Sequence, residues 1–200
     1  GKERFIGYLD ETLRTPLSKS KWEFYSTLPD QTGGVGQFSM ANEPSLHIPY
    51  LYNYAGAPWR TQRLVRKLID TWFRPDLMGV PGDEDGGGLS AFVVFSMMGI
   101  YPVTPGLPIY NIGTPFFPRV TLQLSSGRTF VIEAKETSAT NKYIQSAELN
   151  GKPLDRAWLR HSELAAGGRL VLVMGSRPNK AWGANTPPPS AERIDLKPAK

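Results

Sequence analysis

Cysteine is absent from this 200-residue sequence, and histidine occurs only at His47 and His161. Without thiols there is neither a disulfide framework nor a thiolate metal site. So few histidines, with no cysteine, also argue against a zinc enzyme or a thiol nucleophile. No stretch approaches the ~20 apolar residues of a spanning helix, so no membrane span is expected. No asparagine is followed two residues on by Ser or Thr, which leaves N-glycosylation without an acceptor. Concentrated basic tracts are missing too: the net charge is only +5, and the cations are scattered from Lys19 and Lys21, through Arg60 to Lys67, to the tail lysines. A nucleic-acid surface needs a clustered patch, so no nucleic-acid partner is expected. The opening GKERFIGYLDETL does not have the pattern of a signal peptide and reads as the interior of a longer chain.

What is present divides into two halves. Apolar residues make up 40% of the chain and aromatics 11%, ample for a packed core. The first hundred residues read as helical. Phe5, Leu9 and Leu13 recur at four-residue spacing, an amphipathic helix. Residues 14–41 are broken by Pro16, Pro29 and Gly33-Gly34 and read mostly as loop. A helix is predicted over 44–54, and another from Pro58 to a stop before Pro75, with Leu64, Leu68 and Trp72 on one face and Arg63, Arg66 and Lys67 largely on others. Leu89 to Met98 is apolar nearly all round, as in a buried helix. After Gly99 come five prolines in IYPVTPGLPIYNIGTPFFP, which no helix tolerates. RVTLQL, RTFVIEA, YIQSAELNG and RLVLVMG then read as short strands separated by turns, in an antiparallel sheet or sandwich. The predicted class is α+β, with a helical portion over 1–104, a β-rich portion over 105–184 and a disordered or extended tail over 185–200.

The chemistry concentrates in GVPGDEDGGGLSAF, residues 79–92, where Asp83, Glu84 and Asp85 precede three glycines. An EF-hand is excluded by counting from Asp83: the fifth position is Gly87 and the twelfth Val94, where oxygen ligands are needed. A solvated acidic turn and a water-activating site remain. In an extended segment Asp83 and Asp85 would point one way and Glu84 the other, and the dipole of the following helix would favour ionised carboxylates. A second polar cluster, GQFSMANEPSLHIPYLYNYAGAPW, spans residues 36–59. Gln37, Asn42 and Glu43 are hard oxygen donors of the kind Ca²⁺ takes. They have structural readings as well: Asn42 as a helix cap, Glu43 as a first-turn anion, His47 as a core histidine. Tyr50, Tyr52, Tyr54 and Trp59 suit either packing or the aromatic wall of a sugar pocket. His161 reads as structural.

Taken in order, NEPSLHIPYLYNYAGAPWRTQ, GVPGDEDGGGLSAFVVFSMMGIYPVTPG, YNIGTPFF, NKYIQSAELNG and MGSRPNKAWG resemble the C-terminal part of the glycoside hydrolase family 92 exo-α-mannosidases, over nearly all of residues 1–184. The resemblance implies calcium-dependent, inverting enzymes, mostly bacterial and commonly secreted or periplasmic, that trim α-mannose from N-glycans and mannans. It also implies an (α/α)₆ barrel, of which the helices here would be one part. By position, it makes Asp83 and Asp85 the general-base side. It places Asn42 and Glu43 at a calcium-and-sugar site; with them Gln37, by its oxygen chemistry, and Asp85 are expected as metal oxygens, and Glu43, His47 and Trp59 as sugar contacts. In an inverting pair the carboxyls stand roughly 6.5–9.5 Å apart. The expected partners are a mannose-containing glycan and the N-terminal remainder of the enzyme. Three departures are visible. Leu46 stands where the family has the first of two histidines. GGGLSAF replaces a segment that is usually Q-M-S-A-W. The general-acid motif, a glutamate in a YxEGNAW-like stretch, does not occur in these 200 residues, so the chain by itself is expected to be inactive. A non-catalytic carbohydrate-binding or structural module is the alternative, and another (α/α)₆ specificity, trehalase- or glucosidase-like, is a third reading.

Overall fold

The computed structural model of the protein describes residues 1–16, 36–77 and 79–190. Most of the loop expected over 14–41 therefore lies outside the described residues, as do residues 191–200 of the expected tail. Helix α1 runs Lys2–Thr12. Its inward stripe is Ile6, Leu9 and Leu13, packed on Tyr52 and Ala57. Phe5, expected on that stripe, is 40% exposed. Both sets satisfy a helical period; the position of Tyr52 selects the 6–9–13 set.

The single helix expected over 44–54 is broken into pieces. Two 3₁₀ turns, Glu43–Ser45 and Ile48–Tyr50, lead into a short α2, Leu51–Tyr54. Pro49 is the cause, because it has no N–H to donate four residues back and its ring obstructs the carbonyl there. Helix α3 spans Pro58–Trp72, with Pro58 in its first turn and an extended Phe73 ending it ahead of Pro75, as the sequence predicted. Arg66, expected on an outer face, is instead only 5% exposed. Its Nη2 donates to the Pro115 carbonyl at 2.8 Å, and its guanidinium lies 3.7 Å from the centre of the Phe116 ring. Helix α4, Gly88–Met98, buries Leu89, Phe92 and Ser96. It is not covered all round, since Val94 is 57% exposed.

The strands are β1 (Ile100–Tyr101), β2 (Ile109–Ile112), β3 (Arg119–Gln123), β4 (Thr129–Lys135), β5 (Tyr143–Leu149), β6 (Lys152–Pro153), β7 (Trp158–Arg160) and β8 (Gly168–Gly175), with a short helix α5, His161–Ala165, before β8. They form a three-stranded sheet, β1-β2-β7, and a five-stranded sheet, β3-β4-β8-β5-β6. The alternation in β4 buries Phe130, Ile132 and Ala134, the last two opposite Leu170 and Leu172 of β8. The expectation of an antiparallel sheet fails at this pair, because β4 and β8 run parallel. The intervening segment, with β5 to β7 and α5, is long enough for the crossover that a parallel pair requires. His161, at the start of α5, meets the Tyr110 hydroxyl at 3.1 Å through Nδ1. Residues 185–190 carry no helix or strand, and the Trp158 indole N–H donates to the Thr186 carbonyl at 3.2 Å.

Buried polar contacts join the helices to the sheets. The Asn53 amide nitrogen donates to Asn111 Oδ1 at 3.0 Å and to the carbonyls of Ile112 and Ala157 at 3.1 and 3.3 Å. Gln62 Oε1 accepts the Ile144 N–H at 3.1 Å. Among the described residues no helix is long and apolar enough to cross a membrane.

Candidate active site

Two segments far apart in sequence meet here. Phe38, Met40, Leu46 and Tyr50 pack with Leu89 and Phe92 of α4. Tyr50 meets Phe92 edge-on, and its hydroxyl lies 2.9 Å from Ser96 Oγ. This core fixes α4 against residues 38–50, and with it the acidic loop that precedes the helix. Two glycines then allow the loop to lie directly on Ala41 and Glu43. A Cβ on Gly82 would sit 2.7 Å from the Ala41 carbonyl oxygen, and one on Gly88 would sit 2.9 Å from Glu43 Cγ and 3.4 Å from Glu43 Oε1. The Glu43 carboxylate therefore borders the end of GDEDGGG.

The loop is a turn, not the extended segment expected from its sequence. Asp85, Gly86 and Gly87 all have positive φ, at 48°, 67° and 96°. Glycine adopts this region freely and Asp tolerates it better than most residues. The same-side arrangement of Asp83 and Asp85 inferred from strand alternation thus loses its basis. Both side chains are exposed, while Glu84 is half-buried. The helix N-terminus also goes to Glu84 and not to its neighbours. Its carboxylate accepts the Gly87 N–H at 2.5 Å and the Ser90 N–H at 2.9 Å. The Ser90 backbone and side-chain bonds, then the Gly87 bond, hold the Glu84 carboxyl below the usual carboxylate range. Sequence reasoning had turned Glu84 away from the site. The available signal was a carboxylate just upstream of a helix whose N-cap, Gly87, has no side chain to cap it.

The other expected residues fall into place as follows. Asn42 is extended and makes no side-chain cap bond, so the cap reading is not realised. Gln37 is exposed, with its backbone N–H donating to the Thr12 carbonyl at 2.8 Å. His47 is exposed ahead of the second 3₁₀ turn, so it is not a core histidine. Leu46 is 5% exposed and belongs to the apolar core, so this position offers no polar contact. Trp59 lies elsewhere, on a cleft of about 580 Å³ that Asp10 and Tyr52 also line. Arg60, Arg63 and Lys180 lie 4.7, 5.6 and 5.8 Å from its ring centre. In that cleft both Asp10 carboxylate oxygens accept from Arg60 Nη1, at 2.7 and 2.6 Å, and Oδ1 also accepts the Tyr52 hydroxyl at 2.8 Å. Among the described residues, no three His, Asp or Glu side chains gather closely enough to hold a metal.

Comparison with known proteins decides the family. A model described as the glycosyl hydrolase family 92 catalytic domain matches residues 1–176. The chain belongs to glycosyl hydrolase family 92. It is 37% identical over 156 residues to an uncharacterized secreted glycosidase of Arthroderma benhamiae, covering 76% of this chain and 20% of that protein. Its fold matches a family 92 alpha-mannosidase of Bacteroides thetaiotaomicron, solved in complex with mannoimidazole, with a TM-score of 0.86 and 32% identity. That match covers 96% of this chain and 25% of the other. A family 92 inverting mannosidase from the same organism gives a TM-score of 0.77 at 40% identity, over 92% of this chain and 26% of that one. The family 92 chain thus spans a fifth to a quarter of these relatives.

Proposed function

We propose that the chain is part of the catalytic domain of a secreted or periplasmic inverting exo-α-mannosidase that removes terminal α-mannose, with α-1,2 linkages foremost, from N-glycans or mannans. The observation that carries this reading is the seating of the acidic loop on residues 41–43, Gly82 against Ala41 and Gly88 against Glu43, in a chain of family 92. Asp83 and Asp85 form the general-base side: an exposed carboxylate takes a proton from water as that water attacks the anomeric carbon. The general acid, on the opposite face of the sugar, comes from outside these 200 residues. His47 and Trp59 are the proposed sugar contacts. Neither is joined to the loop by a described contact, so each needs its own test: H47A or W59A should raise KM more than it lowers kcat.

The donor set suits calcium. Glu43 has a carboxylate oxygen buried against the loop, and Asp85, Asn42 and Gln37 add only oxygens. With fewer than three clustered carboxylates, the remaining positions would need amide, sugar or water oxygens, which Ca²⁺ accepts and thiolate-seeking metals do not. Gln37, Asn42, Glu43 and Asp85 would hold it. When bound, the cation would take sugar hydroxyl oxygens as ligands and so favour a distorted ring on the way to the oxocarbenium-like transition state. The residues of this chain then orient the ring and hold the proton-accepting oxygen.

The test uses the full-length protein on an α-mannoside. D83N and D85N should each lower kcat at least 100-fold, and chelation followed by calcium addition should remove and restore activity. Full activity in both variants would refute the base reading. Mannose binding without any hydrolysis by the full-length protein would favour the carbohydrate-binding alternative.

A further inference from the structure

The three consecutive left-handed residues, Asp85 to Gly87, need something to hold them, since an aspartate at φ 48° relaxes readily to extended backbone. Among the described residues, the side chain that ties this turn is Glu84. Glu84 Oε2 accepts the N–H of Gly87, and Glu84 Oε1 accepts that of Ser90, the third residue of α4. In a usual capping box two side chains share this work, one on the third helical N–H and one on the N-cap N–H. Here a single carboxylate, placed ahead of the N-cap, does both. Asp85 and Gly86 are thereby enclosed in a loop closed by the Glu84–Gly87 bond. A weaker backbone bond, Gly88 N–H to the Asp85 carbonyl at 3.4 Å, follows the same curl.

We infer that Glu84 is a positioning residue: its clamp on the N-terminus of α4 sets the direction of the two flanking aspartates. On this reading Glu84 acts on the backbone and takes no part in proton transfer: each of its oxygens accepts a backbone N–H. It acts by fixing the backbone on either side. Asp83 precedes the anchored residue, and Asp85 lies inside the turn the anchor closes. The sequence DED therefore has one structural carboxylate between two exposed ones. The inference rests on the reading of Asp83 and Asp85 as the base. Misplacing a base by about 1 Å lowers the rate on the order of 100-fold while leaving binding of the ground state nearly intact. Loss of the clamp should therefore appear in kcat.

The experiment compares E84A, E84Q, D83N and D85N in the full-length protein, reading kcat and KM on an aryl α-mannoside and amide hydrogen exchange at Gly87 and Ser90. E84A should lower kcat roughly 100-fold with KM within about threefold. It should also abolish protection at both amides while Phe92 to Ser96 stay protected. E84Q keeps one acceptor oxygen, so it should rescue part of both readouts; it also carries the test if E84A fails to fold. Unchanged protection at Gly87 and Ser90 in E84A overturns the clamp. Full kcat in E84A, with D83N and D85N inactive, overturns the positioning role alone. Full activity in D83N and D85N overturns the base reading on which the role depends.

Discussion

Replacing Gly88 by alanine separates the architecture of this site from its stability. The new Cβ would stand 2.9 Å from Glu43 Cγ. Ordinary carbon–carbon contact begins at about 3.5 Å, so the two must part by roughly 0.6 Å. The obstacle is a flexible side chain and not backbone, so Glu43 can rotate away at a cost of about 0.5–1.5 kcal/mol for a distorted rotamer. Against that, alanine is up to about 1 kcal/mol better than glycine inside a helix, and Gly88 is the first residue of α4. The two terms nearly cancel. The melting temperature of G88A should stay within about 4 °C of the parent. The displaced carboxylate, however, borders the proposed calcium and sugar site, and kcat/KM should fall at least tenfold with weaker calcium binding. Thermal unfolding, calcium titration and steady-state kinetics on the full-length protein read the three quantities. G87A is the control: nothing lies within 4 Å of its added Cβ, but its φ of 96° makes any side chain strained, so it should lose about 1–2 kcal/mol for purely conformational reasons. Full activity and full calcium affinity in G88A would refute the argument that Glu43 needs the space Gly88 leaves.

Asn53 donates to three buried acceptors, so N53A should cost about 1–3 kcal/mol, seen in denaturant unfolding, chiefly by leaving the buried Asn111 Oδ1 without this donor, whereas the Ala157 carbonyl keeps the Ile112 N–H at 2.9 Å. R66M should be close to neutral, within about 1 kcal/mol, despite deleting a buried charge. Burial already lowers the Arg66 pKa, its Nε has no partner, and the Pro115 carbonyl keeps the Thr137 hydroxyl at 2.9 Å. Burial raises the Glu163 carboxyl, but the Arg160 N–H and the Arg156 side chain outweigh it and leave the pKa below normal. Its folded pKa being depressed, the stabilisation is present above the ordinary carboxylate range and is lost as pH falls through the folded value. E163Q should therefore be less stable than the parent near neutrality and flatter against acid in pH-dependent unfolding.

Much of the fold was legible because its cues are local. Pro58 and Pro75 bracket α3, the proline-rich segment after Gly99 marks the change from helix to strand, and alternating β-branched runs separated by Asn150-Gly151 and Gly167-Gly168 mark the strands. The motifs that placed the chain in its family were legible for the same reason. Failures came where two local readings were equally good or where a distant neighbour decided. Ile6 and Phe5 both complete a helical stripe with Leu9, and Tyr52 chose between them. Arg66 sits on α3 like its solvated neighbours, and only the approach of Pro115 and Phe116 buries it. The parallel β4–β8 pair depends on a crossover whose path no local pattern specifies.

The sequence by itself determined which chemical groups are available: oxygens without thiols, an acidic triplet ahead of an apolar helix, and glycines where side chains would obstruct. Only the tertiary structure decided how those groups divide their work. Packing of Leu89 and Phe92 against Phe38, Met40, Leu46 and Tyr50 brings Glu43 to Gly88, and the bare N-terminus of α4 draws in Glu84 while Asp83 and Asp85 remain exposed. The physical reason is range. Backbone preferences act over a few residues, whereas the direction of each carboxylate is set by a core and by hydrogen bonds that exist only once distant segments have met.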